Sequence, residues 1–261
     1  MNELQMSHSG FKAYDIRGVM PTEINEELAY RVGRAYAALY HPETVAVGRD
    51  IRLSSEPLAT AAMRGLCDGG ADVMDIGLCG TEMMYFSVFY YGLSGGIMIT
   101  ASHNPKDNNG MKLVREEGIP ISADTGLREI EKMAFAGDFP EGQRKGTVAQ
   151  RDVMDDYIRH ILSYVDVSRM KLLHLVVDAG NGCAGPVFRK LAEHLPFQFT
   201  ALYMEPDGTF PNGVPNPMLE ECRRPLIEAV KRTEADMGIA WDGDFDRCFF
   251  VDETGNFEIG R

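Results

Sequence analysis

Apolar residues recur at helical spacing from Leu28 through Val32, Ala35, Tyr36 and Leu39, behind Asn25, a residue suited to capping; this predicts a helix through about Tyr40. The run TVAVG (44–48) then reads as a short buried strand. Ser54 or Ser55 can open a helix that tolerates Pro57 in its first turn and runs to Cys67, ahead of Gly69-Gly70. ADVMDIG (71–77) predicts a second strand, Thr81 can cap a helix through Tyr91, and GGIMIT (95–100) predicts a third strand. This alternation of strand and helix calls for a parallel sheet covered on both faces. Periodicity fails over 136–151, where Gly, Pro and charge collect, and a linker is expected there. After a helix over about 152–165 the pattern starts again: strand 172–179, helix 184–195, strand 197–203, a loop over 205–217 with four prolines, helix 219–233 and strand 235–241. In both halves a strand ends in an aspartate, Asp50 or Asp178, followed by a polar loop and a helix. A duplicated α/β unit is expected, with domains at 1–150 and 151–261.

Composition narrows the class. The chain has 261 residues, 44% hydrophobic and 25% charged, as in ordinary folded proteins. Its net charge of −13 is spread evenly, about −6 in the first 150 residues and −7 in the rest. No Lys/Arg run or basic face is legible, which argues against a nucleic-acid partner. The five cysteines (Cys67, Cys79, Cys183, Cys222, Cys248) are odd in number, widely spaced and without a CxxC pair, as expected of reduced thiols in the cytoplasm. The first fifteen residues lack the apolar stretch of a signal peptide, and no run approaches the ~18 apolar residues of a membrane span.

Four segments carry candidate chemistry. TASHNPKDNNGMK (100–112) follows a strand directly, where ligands of open α/β sheets collect. It offers a hydroxyl (Ser102), an imidazole (His103), three amides and two lysines, Lys106 and Lys112. Taken alone it also reads as a polar turn built on Asn104-Pro105 and Asn109-Gly110, and no GxSxG elbow surrounds Ser102. DGDFDR (242–247) follows the strand MGIAW, and three alternating carboxylates would repel unless a hard divalent cation joined them. Arg247 adds a donor suited to phosphate. An EF-hand would match Asp242, Asp244, Asp246 and Glu253, but needs glycine where Arg247 stands. A haloacid-dehalogenase-like phosphatase would carry Thr or Val in place of Asp246. GNGCAG (180–185), with Glu205 25 residues past Gly180, matches a dinucleotide fingerprint, though Asp178 would put a carboxylate near the pyrophosphate and close packing explains the same glycines. FKAYDIRG (11–18) reads as a short strand ending in Asp15, Arg17 and Gly18.

Together FKAYDIRG (11–18), TASHNPKDNNGMKLV (100–114), PDGTFPNGVPNP (206–217) and GIAWDGDFDRCFFVDETG (238–255) resemble the α-D-phosphohexomutases, and among them the bacterial phosphomannomutases, collinearly from about Phe11 to Gly260. The resemblance implies an α/β fold of two similar domains, each a mixed, mostly parallel sheet with helices on both faces. It implies that Ser102 carries the phosphoryl group of the resting enzyme. Asp242, Asp244 and Asp246 would hold Mg2+, with a phosphoserine oxygen of Ser102 completing the set. Arg247 would contact the phosphoryl site, Lys112 and Arg17 would serve proton transfer and charge stabilisation, and His103 would stand beside the serine. The implied reaction interconverts mannose 6-phosphate and mannose 1-phosphate through a hexose 1,6-bisphosphate and feeds GDP-mannose synthesis, with no membrane partner. Family members have four domains, and neither the sugar-selecting Gly-Glu-x-Ser loop nor the phosphate-gripping Arg-x-Ser-Gly-Thr-Glu-Pro loop occurs here. The chain is therefore expected to be an N-terminal half, weakly active or inactive in turnover. The alternatives are a phosphoglucomutase or dual-specificity enzyme, or a non-catalytic phosphate-binding remnant; oligomeric state stays open.

Overall fold

In a computed structural model, residues 8–142 and 144–259 are described. Of the first fifteen residues, in which no signal peptide is read, residues 1–7 lie outside that range. The chain divides into two units between Asp152 and Val153.

The first unit begins with β1 (Ile16–Val19), α1 (Glu26–Tyr40), β2 (Thr44–Arg49), α2 (Ser55–Asp68) and β3 (Asp72–Leu78). It continues with α3 (Thr81–Tyr90), β4 (Gly95–Ile99), β5 (Asn108–Arg115), α4 (Arg128–Ala136) and β6 (Val148–Gln150). Its six-stranded sheet has the order β1-β5-β4-β2-β3-β6. β4, β2, β3 and β6 run parallel, while β5 is antiparallel to both β4 and β1. Alternation along the central strands sets the two faces. Val45, Val47, Ile97 and Ile99 join α1, α2 and α4 in one core. Gly96, one residue out of phase, faces Met84 and Val88 of α3 on the other side. All five residues of β4 are buried, as a strand covered on both faces requires. Asn25 caps α1 as expected, its side chain accepting from the Leu28 N–H at 2.9 Å.

Two glycines let α1 and α2 approach backbone to backbone. A Cβ on Gly65 would lie 2.1 Å from the Tyr30 carbonyl oxygen, and one on Gly33 would lie 2.4 Å from that of Ala62. Gly65→Ala gains ~1 kcal/mol of helix propensity but forces two helices apart, and such overpacking costs ~1–3 kcal/mol or more. The variant should therefore melt below the wild type in a denaturant titration; a higher midpoint would show that the helix pair can part at little cost.

The second unit comprises α5 (Met154–Leu162), β7 (His174–Asp178), α6 (Ala184–Ala192), β8 (Gln198–Leu202), α7 (Glu220–Thr233), β9 (Met237–Trp241), β10 (Cys248–Asp252) and β11 (Phe257–Ile259). Its sheet order is β11-β10-β9-β7-β8, with β8, β7 and β9 parallel and β10 and β11 antiparallel additions. Val176, Ala240 and Val251 pack with Leu226, Ala229 and Val230 of α7. On the other face Phe188 of α6 meets Phe199 edge-on and tilts against Trp241. The two sheets thus repeat one arrangement, β3-β2-β4-β5-β1 and β8-β7-β9-β10-β11.

Several boundaries differ from the sequence reading. The segment expected to be a linker contributes β6, which pairs parallel to β3; Arg144 clasps Asp72 through two contacts of 3.0 and 2.7 Å, and the Gly146 N–H donates to the Cys67 carbonyl. Its three residues are all exposed, so no apolar period marks the strand. Asn109-Gly110 is not a turn but lies inside β5, opposite Arg17 and Gly18 of β1. β1 starts at Ile16, so Asp15 precedes the strand instead of ending it, while Arg17 and Gly18 lie within it. Among the described residues no helix is long and apolar enough to cross a membrane.

Candidate functional site

The duplicated topology gives the two candidate loops one address. In each sheet the chain leaves a central strand (β2 or β7), adds a strand on one side, then crosses to the other, so the crevice opens at the carboxyl ends of β2/β4 and β7/β9. The serine loop connects β4 to the antiparallel β5, and DGDFDR connects β9 to the antiparallel β10. Asp50 and Asp178 follow or end the central strands and are 2% and 5% exposed.

In the first unit Ser102 is buried and held in the left-handed region, with φ of 50°. Its N–H donates to Thr100 Oγ1 at 2.9 Å, and its Oγ lies 3.0 Å from His103 Nδ1, which accepts the hydroxyl proton when that nitrogen is unprotonated. Arg17 reaches the same loop: its Nη1 donates to Asn104 Oδ1 at 3.0 Å while Nη2 pairs with Asp15 at 2.9 Å. The structure therefore brings Ser102, His103 and Arg17 to one loop. Lys112 lies on the neighbouring strand, opposite Met98, and its Nζ donates to Thr81 Oγ1 at 3.2 Å.

Sequence reasoning missed the residues that hold this loop. Arg52 is 3% exposed and turns its guanidinium onto loop carbonyls, and Asp50 accepts from the Arg52 N–H at 2.9 Å and from the Ser55 hydroxyl. Burial pushes the Asp50 carboxyl up, against the pull of Arg52. Asn109 donates to Ser54 Oγ at 2.7 Å and Ser55 Oγ at 3.0 Å, tying β5 to the start of α2. The signal was present in GRDIRLSS, charged and hydroxylated residues directly after a buried strand.

In the second unit Asp242, Asp244 and Asp246 converge: one ligand oxygen from each lies within 4.8 Å of the others. Asp242 and Asp244 are fully buried, whereas the Asp246 side chain is 27% exposed. Arg247 donates to Asp242 through Nε (2.9 Å) and Nη2 (2.5 Å), and its Nε lies 3.7 Å from Asp246. Its guanidinium is thus committed to the aspartates, with 37% of the side chain exposed. Three carboxylates converging on one point, two of them dry, form an all-oxygen donor set that suits Mg2+. The residues present fit that ion.

The GNGCAG glycines serve packing and turning. Gly180 and Asn181 both have positive φ, and a Cβ on Gly185 would lie 1.9 Å from the Met204 carbonyl oxygen. Asn181 fastens the proline-rich loop, donating to the Glu205 carbonyl and accepting from the Asn212 amide at 2.9 Å. Glu205 pairs with Arg189, which holds its carboxyl below the usual range.

Burial lifts the Asp178 carboxyl to about 6, offset in part by the Gly180 N–H at 2.8 Å. The native fold favours its neutral form, so its stabilising contribution is complete below the ordinary value of 3.8 and is lost as pH rises through about 6. An amide in place of this carboxyl would keep the acceptor for Gly180. Asp178→Asn in EDTA should then stabilise the chain at neutral pH by up to ~3 kcal/mol, with the gain vanishing towards pH 4 in thermal melts. A pH-independent difference would contradict this.

Comparisons with known proteins identify the family and the fold. Residues 8–141 match the family model for phosphoglucomutase/phosphomannomutase, alpha/beta/alpha domain I, and residues 155–255 that for domain II. A phosphomannomutase of Salmonella montevideo is 52% identical over 257 residues, covering 96% of this chain and 56% of that protein. A protein named phosphohexose mutases from Xanthomonas campestris pv. campestris (strain B100) is 53% identical over 255 residues, covering 98% of this chain and 57% of its own length. The crystal structure of a phosphoglucomutase/phosphomannomutase family protein from Burkholderia thailandensis superposes with a TM-score of 0.89 at 36% identity, covering 97% of this chain and 56% of that one. The chain spans little more than half the length of these relatives. On these matches it belongs to the phosphoglucomutase/phosphomannomutase family, of which it carries domains I and II.

Proposed function

We propose that this chain performs the phosphoryl-carrying half of a phosphomannomutase reaction. The observation that carries the reading is Ser102, a buried hydroxyl in a left-handed backbone conformation with an imidazole nitrogen 3.0 Å away. His103 takes the hydroxyl proton as Ser102 attacks the phosphorus of a hexose bisphosphate. The serine Oγ–P bond forms, the sugar O–P bond breaks, and the sugar leaves as a hexose monophosphate. The reverse step returns the phosphoryl group to the other sugar hydroxyl. Arg17, poised on the loop through Asn104, offsets charge on the transferring group. Lys112 supplies a second cation and shuttles the proton of the sugar hydroxyl. Asp242, Asp244 and Asp246 would hold Mg2+, which when bound supplies charge neutralisation for phosphoryl transfer. Arg247 orders that cluster through Asp242 and offers a guanidinium suited to a phosphate ligand.

Mannose phosphates are the proposed substrates, on the strength of the phosphomannomutase relatives. The test is discharge of the phosphorylated chain. Mannose 6-phosphate should speed loss of the protein-bound phosphoryl group and yield a hexose bisphosphate. Loss at one rate with or without any hexose phosphate would overturn the reading in favour of a phosphate-binding protein.

A further inference from the structure

We infer that Arg52 is the positioning residue of the serine loop: its buried guanidinium fixes residues 102–108 in the shape that presents Ser102. The inference rests on the reading of Ser102 given above and extends it to a residue that never touches substrate.

The geometry is concentrated. Nη2 donates to the carbonyls of Ser102 (2.8 Å) and Asn104 (2.7 Å), and Nη1 to those of Pro105 (2.7 Å) and Asn108 (3.0 Å). All four acceptors lie in one seven-residue segment, and one belongs to Ser102 itself. Nε lies 3.3 Å from Asp50 Oδ2, and that same oxygen accepts from the Ala101 N–H at 3.4 Å. The Asp50–Arg52 pair therefore grips both the entry to the loop and its interior carbonyls. The Arg52 side chain is 1% exposed, so water does not compete for these bonds.

Only a planar fork with several fixed donors can meet four carbonyls in this way. A lysine ammonium offers three donors from one point and cannot span them. Carbonyls turned inward onto a cation would otherwise face solvent, and Ser102 would lose the constraint that keeps it at positive φ. Loops without such anchors sample many conformers, and a nucleophile displaced by about 1 Å can lose ~100-fold in rate.

The test compares the full chain with Arg52→Lys, which keeps the charge beside Asp50 and removes the fork. Two readouts are taken. The first is trypsin cleavage after Lys106, an exposed residue inside the clamped segment. The second is the rate of phosphate uptake from glucose 1,6-bisphosphate. The inference predicts cleavage at Lys106 at least ~10-fold faster, at a temperature well below both melting transitions, with no matching rise in cleavage at sites in the second unit. It also predicts uptake falling ~100-fold at saturation, with less than ~3-fold change in the half-saturating concentration. Unchanged cleavage overturns it, as does uptake within a few-fold of wild type. If Arg52→Lys does not fold, Asp50→Asn combined with Arg52→Gln removes both buried charges together, and the same outcomes decide. A wild-type chain that takes up no phosphate refutes the function assigned to Ser102, while the cleavage comparison still decides whether Arg52 shapes the loop.

Discussion

Replacing Ser102 by alanine should reduce phosphate uptake from glucose 1,6-bisphosphate to the uncatalysed background. No neighbouring hydroxyl inherits the role. Thr100 Oγ1 is engaged as the acceptor of the Ser102 N–H at 2.9 Å, and Ser54 Oγ as the acceptor of the Asn109 amide at 2.7 Å. The companion variant Ser102→Gly separates chemistry from stability. A non-glycine residue in the left-handed region pays ~1–2 kcal/mol that glycine does not. Ser102→Gly should therefore lose uptake as completely as Ser102→Ala and yet melt no lower than wild type. Retained uptake in either variant would move the phosphoryl acceptor elsewhere. A large fall in the melting temperature of Ser102→Gly would show that the serine stabilises the loop more than its backbone strains it.

Asp244→Asn should abolish measurable Mg2+ binding in calorimetry. Loss of groups that merely support metal ligands costs 10–100-fold in affinity, so loss of one of three carboxylate ligands should exceed ~100-fold. The same substitution should act oppositely on the metal-free protein. Asp244 is fully buried, with a ligand oxygen within 4.8 Å of those of two other carboxylates, so removing its charge lowers their mutual repulsion. The Asp244→Asn chain in EDTA should melt above wild type and gain nothing from added Mg2+. Equal Mg2+ affinity in the two proteins would reduce DGDFDR to an acidic turn.

Much of the fold was legible because buried strands and amphipathic helices leave strong periods. The repeat of strand, polar loop and helix after Asp50 and Asp178 disclosed the duplication. α4 was missed although Leu127, Ile130 and Ala134 recur at helical spacing, whereas two missed strand segments lacked a period. β6 is a three-residue exposed edge, and β5 begins in the polar run Asn108-Asn109-Gly110, which local turn preferences disguise. Its strand character comes from pairing with β4 and β1, and no window of sequence contains that pairing. The site divides in the same way. Ser102, His103 and the three aspartates stand within short segments whose chemistry is visible in order. Arg17 meets the serine loop through Asn104, 87 residues away, and Arg52 through carbonyls 50 to 56 residues away. Backbone acceptors have no side-chain signature, so an arginine that serves them reads as one more surface charge until the fold is known.

The central claim is that Ser102 carries the phosphoryl group, and the direct measurement is intact-mass and phosphopeptide analysis of the chain after incubation with glucose 1,6-bisphosphate. The account predicts a gain of one phosphoryl group per chain, located on Ser102. Phosphate mapped to another residue, such as Ser54 or Ser122, or a chain whose mass does not change, would contradict it.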